Sequence, residues 1–303
     1  MGGTPWLALT ASLPGLVALV ALVFTWVSVG QTGTELRIAE QGQITTRFNA
    51  AVSHLGSQSL DLRLGGIYAL ERIMQDSPRD QPRVVSVLSA YVRTHTPVPA
   101  GGFAEMSALM APPPPDTDVT AATDVLAQRP LGKDGRARVD WQRADLRDMR
   151  LRSRFAPNTA DLPDQRYLPF SFADLSNADL RRSAFEGVDL HGALCSGANM
   201  AFTYFSDVNL QDVIMNSVDL SHARLNEANL RGADLENAIL VNTKLTRADL
   251  SHANLRNADL EEANLSGANL HLADLTGADL TGVDLTGANL DQARGVPAAL
   301  LKR

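Results

Sequence analysis

"ADLTGADLTGVDLTGANL", residues 273 to 290, repeats itself every five positions, with Leu at 275, 280, 285 and 290. Five suits neither regular element. A helix advances about 100° per residue, so steps of five land roughly 140° apart and leave no stripe, while a strand repeats at two. The same phase runs back along the chain through Phe170, Leu175, Leu180, Phe185, Leu190, Cys195, Met200, Phe205, Leu210 and Met215. Leu then stands at every fifth position from 220 to 290, making 25 consecutive apolar positions. Two residues before each stands something compact: Ala at 173, 178, 193, 198, 223, 228 and 233, or Ser183, Val188, Thr203, Val208 and Val213, with Leu168 the bulky exception. The remaining positions are mostly Asp, Asn, Ser, Thr, Gly, Arg and Glu. A chain that turns by about a right angle once per pentad accounts for all of this. Four pentads close a square coil, the large residues meet on one axis, and residues 20 apart become neighbours along one face.

On these residues, which follow A(D/N)LXX, the stretch from 170 to 290 resembles the pentapeptide-repeat family. The resemblance implies a mainly β fold, a right-handed quadrilateral β-helix, with the Leu/Phe and the small residue inside and the other three positions in water. The stretch is then about six coils and a rod roughly 30 Å long. One inward column reads Phe185, Phe205, Leu225, Leu245, Leu265, Leu285, so the aromatic bulk gathers at the N-terminal end. Cys195 takes an inward position and reads as a small core hydrophobe.

The rest of the chain is organised differently. From Trp6 to Val29 no residue is charged, and such a stretch is long enough to span roughly 36 Å as a helix. We expect a single transmembrane helix at about 6–29 within an N-terminal region 1–34. No basic residue precedes it, while Arg37 and Arg47 follow, which places the C-terminal bulk in the cytoplasm at the cell membrane. Residues 35–97 read as a small helical domain, with Leu60, Leu64, Ile67, Leu70 and Ile73 on one stripe and Val84, Val87, Leu88 and Tyr91 on a second. "RLGGIYALERI" (63–73) resembles a juxtamembrane segment found with pentapeptide repeats in actinobacterial membrane proteins, and the helix pair is similar to a HEAT or armadillo unit. Residues 98–130 read as a Pro-rich linker with a short helix near 118–127, and "APPPPD" as a stiff spacer. Val139, Trp141, Leu146 and Leu151 suggest a first coil one residue out of phase within an irregular segment, 131–169. Its loop, 152–169, is either a plug over the rod or a binding loop. The β-helix proper spans 170–295 and a C-terminal cap 296–303.

Convergent chemistry is not expected. His252 and His271, 19 apart, should be neighbours on adjacent coils, but no third His or Cys joins them and a metal site needs three or four ligands. The glycines of "TGADLTG" fall at repeat turns and form no phosphate loop. The Asp and Asn ladders, such as Asp249, Asn269 and Asn289 or Asp259 and Asp279, read as turn chemistry. The reading is a protein with no catalytic residue, metal or cofactor.

What remains is surface. Residues 170–290 carry 7 Lys/Arg against 17 Asp/Glu, a net of −10. Members of the resembled family that confer quinolone resistance are acidic rods that bind DNA gyrase, so a DNA-mimic inhibitor or protector of such an enzyme is the alternative to a scaffold. Direct nucleic-acid binding is not expected. Leu194 and Ile214 should face water side by side, 20 apart, with Phe202 and Tyr204 nearby. Tyr204 should head a column that continues through Arg224 and Lys244, where an aromatic can stack under a cation. These six residues form the candidate contact with an unidentified protein partner. A homodimer through the C-terminal end is a further expectation carried by the resemblance.

Overall fold

The computed structural model describes residues 13–99, 115–152 and 167–300; among 13–36 only the side chains of Leu22, Thr25 and Trp26 are described. The chain divides into two compact units, Met1–Ala50 and Ala51–Arg303.

The first unit holds most of α1 (Leu13–Leu55), a helix of 43 residues that runs unbroken through the boundary expected at 34. Its interior glycines lower helix propensity without stopping the helix, because each keeps its backbone N–H. Of the expected span, residues 6–12 lie outside the described residues. Leu22 and Trp26 are largely exposed, and among the described residues no helix is long and apolar enough to cross a membrane.

In the second unit, the last turn of α1 meets α2 (Leu60–Asp76), which packs with α3 (Gln81–His95) and α4 (Thr117–Ala127). The stripe Ile67, Leu70 and Ile73 is buried, with Met74 added, while Leu60 at the end of α2 is exposed. Gly66 explains part of "RLGGIYALERI", because a Cβ there would stand 2.7 Å from the Ala51 carbonyl oxygen. The two helices cross where only hydrogen fits. Pro82 opens α3 in the first turn, where a missing N–H costs nothing. Asp118, buried in α4, accepts hydrogen bonds from the Tyr91 hydroxyl and Arg63 Nε and so ties three helices together. Burial alone would raise its pKa, but the bonds from Tyr91 and Arg63 and the guanidinium charge hold it below the ordinary carboxylate range.

The rod is built as its period requires. Every inward position from Phe170 to Leu275 is buried, and the Phe185 and Phe205 rings stack at 5.3 Å. Cys195 is fully buried and its thiol pKa is pushed up by desolvation. All the corners but those after Phe185 and Phe205 are closed by a hydrogen bond from the residue three after the large one to its carbonyl, as from Ala173 to Phe170 at 3.0 Å. The residue two after the large one has positive φ, between 50° and 78°, at all 25 corners from Phe172 to Gln292. That is the pattern of a type II turn. At Gly277, φ is +78° and a Cβ would lie 2.4 Å from Asn257 Oδ1, so glycine is the residue that fits.

Parallel ladders step by 20 residues, as from Leu168 in β2 (Leu168–Pro169) to Val188 in β4 (Val188–Asp189), and from Ala184 in β3 (Ala184–Glu186) to Tyr204 in β5 (Tyr204–Ser206). The out-of-phase coil is real and its cause is visible. Leu151 in β1 (Arg150–Arg152) pairs with Phe185, a step of 34, so 14 extra residues lie between Arg152 and Leu168. Fourteen is one short of three pentads, which shifts Trp141, Leu146 and Leu151 by one. Residues 153–166, most of the expected plug or loop, lie outside the described residues, as do 100–114 of the Pro-rich stretch and 301–303 of the expected cap.

The helices do not stand off on a spacer, as the linker reading required; they close the N-terminal end of the rod. Residues 96–98 add an antiparallel strand to the first coil, with Asp145 N–H donating to the Thr96 carbonyl at 2.6 Å and Val98 N–H to Arg143 at 2.7 Å. Arg129, almost fully buried, donates to both Asp134 oxygens and to the carbonyls of Leu126 and Pro169, and its guanidinium lies 5.6 Å from the Phe170 ring centroid. An open first coil would expose a row of unpaired backbone groups, and this cover removes the edge.

Candidate functional site

The site is legible only against what the fold itself demands of the outward positions. In each pentad the residue before the inward one points out, and two residues on a backbone N–H at the corner lacks a ladder partner except at Glu186 and Ser206, which are paired in β3 and β5. An Asp or Asn there accepts from that N–H, an Asx turn. From 174 to 289 there are 24 such positions; 17 hold Asp or Asn, and all 17 make the bond, at 2.9–3.3 Å. On one ladder the amides also link coils, with Asn209 donating to Asp189 and Asn289 to Asn269, at 2.9 and 3.0 Å. Thr276, Thr281 and Thr286 add side-chain and backbone hydrogen bonds that hold Asp274, Asp279 and Asp284 below the usual carboxylate pKa. The D/N of the repeat is thus a structural residue.

The remaining seven positions are Ala184, Leu194, Tyr204, Ile214, Arg224, Ile239 and Lys244, and every one falls between 184 and 244. Ala184, Tyr204, Arg224 and Lys244 follow one another on a single ladder, Leu194 and Ile214 pair on a second, and Ile239 sits between Asp219 and Asp259 on a third. Five of the six expected contact residues are among these exceptions.

The six do not form one patch. Leu194 and Tyr204 are 10 residues apart, half a coil, so their ladders run on opposite sides of the square. Leu194 and Ile214 face water together, each a little over one third exposed. Phe202 and Tyr204, more exposed, flank one corner on the other side, continued by Arg224 and Lys244. The expected stacking of Tyr204 under a cation is replaced. Phe202 stacks on His222, 4.7 Å and 15° between planes, and the cation–π contacts among the described residues are Arg129 on Phe170 and Arg138 on Phe172. Sequence reasoning passed over Ala184, Ile239 and the Phe202–His222 pair. Asking which residue replaces Asx before each inward position finds the first two; the third requires the corner geometry. His252 and His271 do meet, 5.9 Å apart and edge-on, and His271 Nδ1 lies 3.2 Å from Asp291; among the described residues no cluster of three or more His, Cys, Asp or Glu could hold a metal.

A squared coil of pentads with parallel ladders every 20 residues is a right-handed β-helix solenoid, a protein-interaction fold. The chain belongs to the pentapeptide-repeat family, whose model, "Pentapeptide repeats", matches it in 8 copies across 170–201, 203–242, 214–251 and 253–292. Among solved structures it is similar to a pentapeptide repeat protein from the Arabidopsis thaliana thylakoid lumen, with 31% identity over 30% of this chain and 67% of that one and a TM-score of 0.29. It is also similar to HetL of Nostoc sp. strain PCC 7120, involved in heterocyst differentiation regulation, with 24% identity over 51% and 88% and a TM-score of 0.17. A third, QnrB1, a plasmid-mediated fluoroquinolone resistance protein, has 22% identity over 42% and 75% and a TM-score of 0.25. No match is found among curated proteins.

Proposed function

We propose that the chain is a membrane-anchored interaction module, in which the rod presents a rigid acidic surface to a protein partner in the cytoplasm and performs no catalysis. The observation that carries this reading is the suspension of the Asx rule over three coils, which sets exposed Leu194 beside exposed Ile214 where Asn would serve the backbone better. An exposed apolar pair on a polar rod is the means of a contact. Anchoring rests on the uncharged stretch from Trp6 to Val29, together with the exposure of Leu22 and Trp26, and orientation on Arg37 and Arg47. A second copy is a further partner, because Leu280, Leu285 and Leu290 in the last coil are only half-buried. The test is cross-linked capture from native membranes with Leu194→Asn plus Ile214→Asn as control. Asn suits better than Asp because Asp174 and Asp234 already stand on that ladder. The variant should lose the captured protein; unchanged capture would refute the reading.

Charge mimicry of DNA is the second reading, favoured by the net of −10 on the rod and by Asp219, Asp259 and Asp279 aligned on one ladder. An enzyme that grips phosphates presents a positive saddle to such a surface. Residues 51–303, which retain the helical cap, supply the reagent. Gyrase supercoiling left unchanged at micromolar concentration eliminates this reading.

A further inference from the structure

The ladder of Tyr204, Arg224 and Lys244 is where the fold gives up most. Arg224 and Lys244 stand where Asp or Asn would hold the corner, Tyr204 heads the same ladder from β5, and the three pair backbone to backbone in successive coils. Arg224 and Lys244 are therefore like charges directly opposite each other, about 4.8 Å apart at the backbone, an arrangement that sheets disfavour. The rod has anions to spare, with 17 acidic residues to 7 basic. It spends them elsewhere: Arg181 pairs with Asp179, Arg247 with Glu227 and Arg256 with Asp274. Among the described residues, the Arg224 and Lys244 side chains have no ion-pair or hydrogen-bond partner, and both residues are exposed. Beside them lies an aromatic ledge of Tyr204, Phe202 and His222, with Phe202 and Tyr204 about half exposed.

We infer that this stripe binds a phosphoryl group carried on a segment of a protein partner, with an aromatic or apolar side chain of that segment lying on Tyr204 and Phe202. Two cations at strand spacing can each reach a different oxygen of one tetrahedral group, whereas a carboxylate brings a single charge and leaves one cation unbalanced. A phosphomonoester carries about −1.5 to −2 at neutral pH and matches the pair. Arginine and lysine clusters read such groups by charge-assisted hydrogen bonds. Free inorganic phosphate would have no use for the ledge. The inference rests on the interaction-module reading and names the chemistry of its partner.

The test uses the full chain in detergent and a fluorescein-labelled nonapeptide with a central phosphotyrosine, which joins ring and phosphoryl in one side chain, beside its unphosphorylated twin. Fluorescence anisotropy should show the phosphorylated peptide binding about tenfold or more tightly, with that advantage erased by Arg224→Ala plus Lys244→Ala. Tyr204→Ala should weaken binding severalfold. Arg231→Ala, which removes an exposed cation off this ladder, should leave it unchanged. Equal affinity for the two peptides overturns the inference, as does equal loss with Arg231→Ala. Full competition by inorganic phosphate at the peptide's own concentration, or capture of phosphatidylglycerol vesicles in place of the peptide, overturns it in favour of a free anion or a lipid surface. If the peptide fails while capture still depends on Leu194 and Ile214, only the phosphoryl assignment falls and the interaction module stands.

Discussion

The coils from 184 to 244 and those from 249 to 289 share one coil geometry and differ in how strictly they keep the repeat. In the later stretch each large inward residue is Leu and each outward position before it is Asp or Asn. In the earlier one the lining includes Phe185, Cys195, Met200, Phe205 and Met215, and seven outward positions abandon Asx. The corners keep positive φ throughout and the ladders keep their step of 20, and the backbone departs from the later stretch at two corners, after Phe185 and Phe205, where the short strands β3 and β5 replace single bridges and the turn hydrogen bond is missing. At Leu194, Ile214, Arg224, Ile239 and Lys244 the fold therefore tolerates exceptions on an otherwise regular backbone, and their confinement to adjacent coils is what the proposed contact would explain.

The contrast can be broken most forcefully in the regular stretch. Leu260→Ala should cost about 3 kcal/mol, because a fully buried leucine leaves a cavity that a rigid coil cannot collapse. Urea denaturation of residues 51–303 checks this. A cost below about 1 kcal/mol would show that the lining is not close-packed.

Asp118→Asn tests whether the helical cap belongs to the same cooperative body. The amide keeps one acceptor oxygen but removes the charge to which Arg63 and Tyr91 both donate, and leaving the guanidinium without its counter-ion should cost about 2–3 kcal/mol. The folded pKa of Asp118 is depressed, so its contribution is fully present above the unfolded value, about 3.9, and is lost as pH falls through the folded value. The acid limb of a stability profile should accordingly flatten in the variant. A parallel shift of the whole profile would contradict this.

Asn269→Ala should cost about 1 kcal/mol, since it deletes the Asx bond to His271 N–H and amide links in both directions along its ladder. Within the exceptional stretch the sign should reverse. Asn at 194 or 214 restores the missing acceptor and withdraws an apolar side chain from water, for a gain of about 0.5 kcal/mol.

Much of this was open to a reader of the chain. A period of five admits no other burial pattern, so register, core and even the one-residue slip at Trp141 follow from spacing. The closure of the rod does not. It joins Gln81, Arg129, Asp134 and Pro169, which are scattered over three segments, and the polar bonds among them leave no periodic trace. The Pro-rich composition before α4 argued for separation, whereas α4 and residues 96–98 are held by hydrogen bonds and packing that composition cannot express. The candidate surface was half legible. Apolar and cationic residues stood out at polar positions, but only the square coil shows that Leu194 and Tyr204 face opposite ways.

The central claim is that the exceptions at 184–244 are kept for contact at some expense to the rod. The direct measurement is the thermal midpoint of the full chain carrying Leu194→Asn and Ile214→Asn, taken alongside cross-linked capture. The account predicts a midpoint that is unchanged or higher and a captured partner that disappears. A lower midpoint with capture intact would mean that the two side chains serve the fold, and would contradict it.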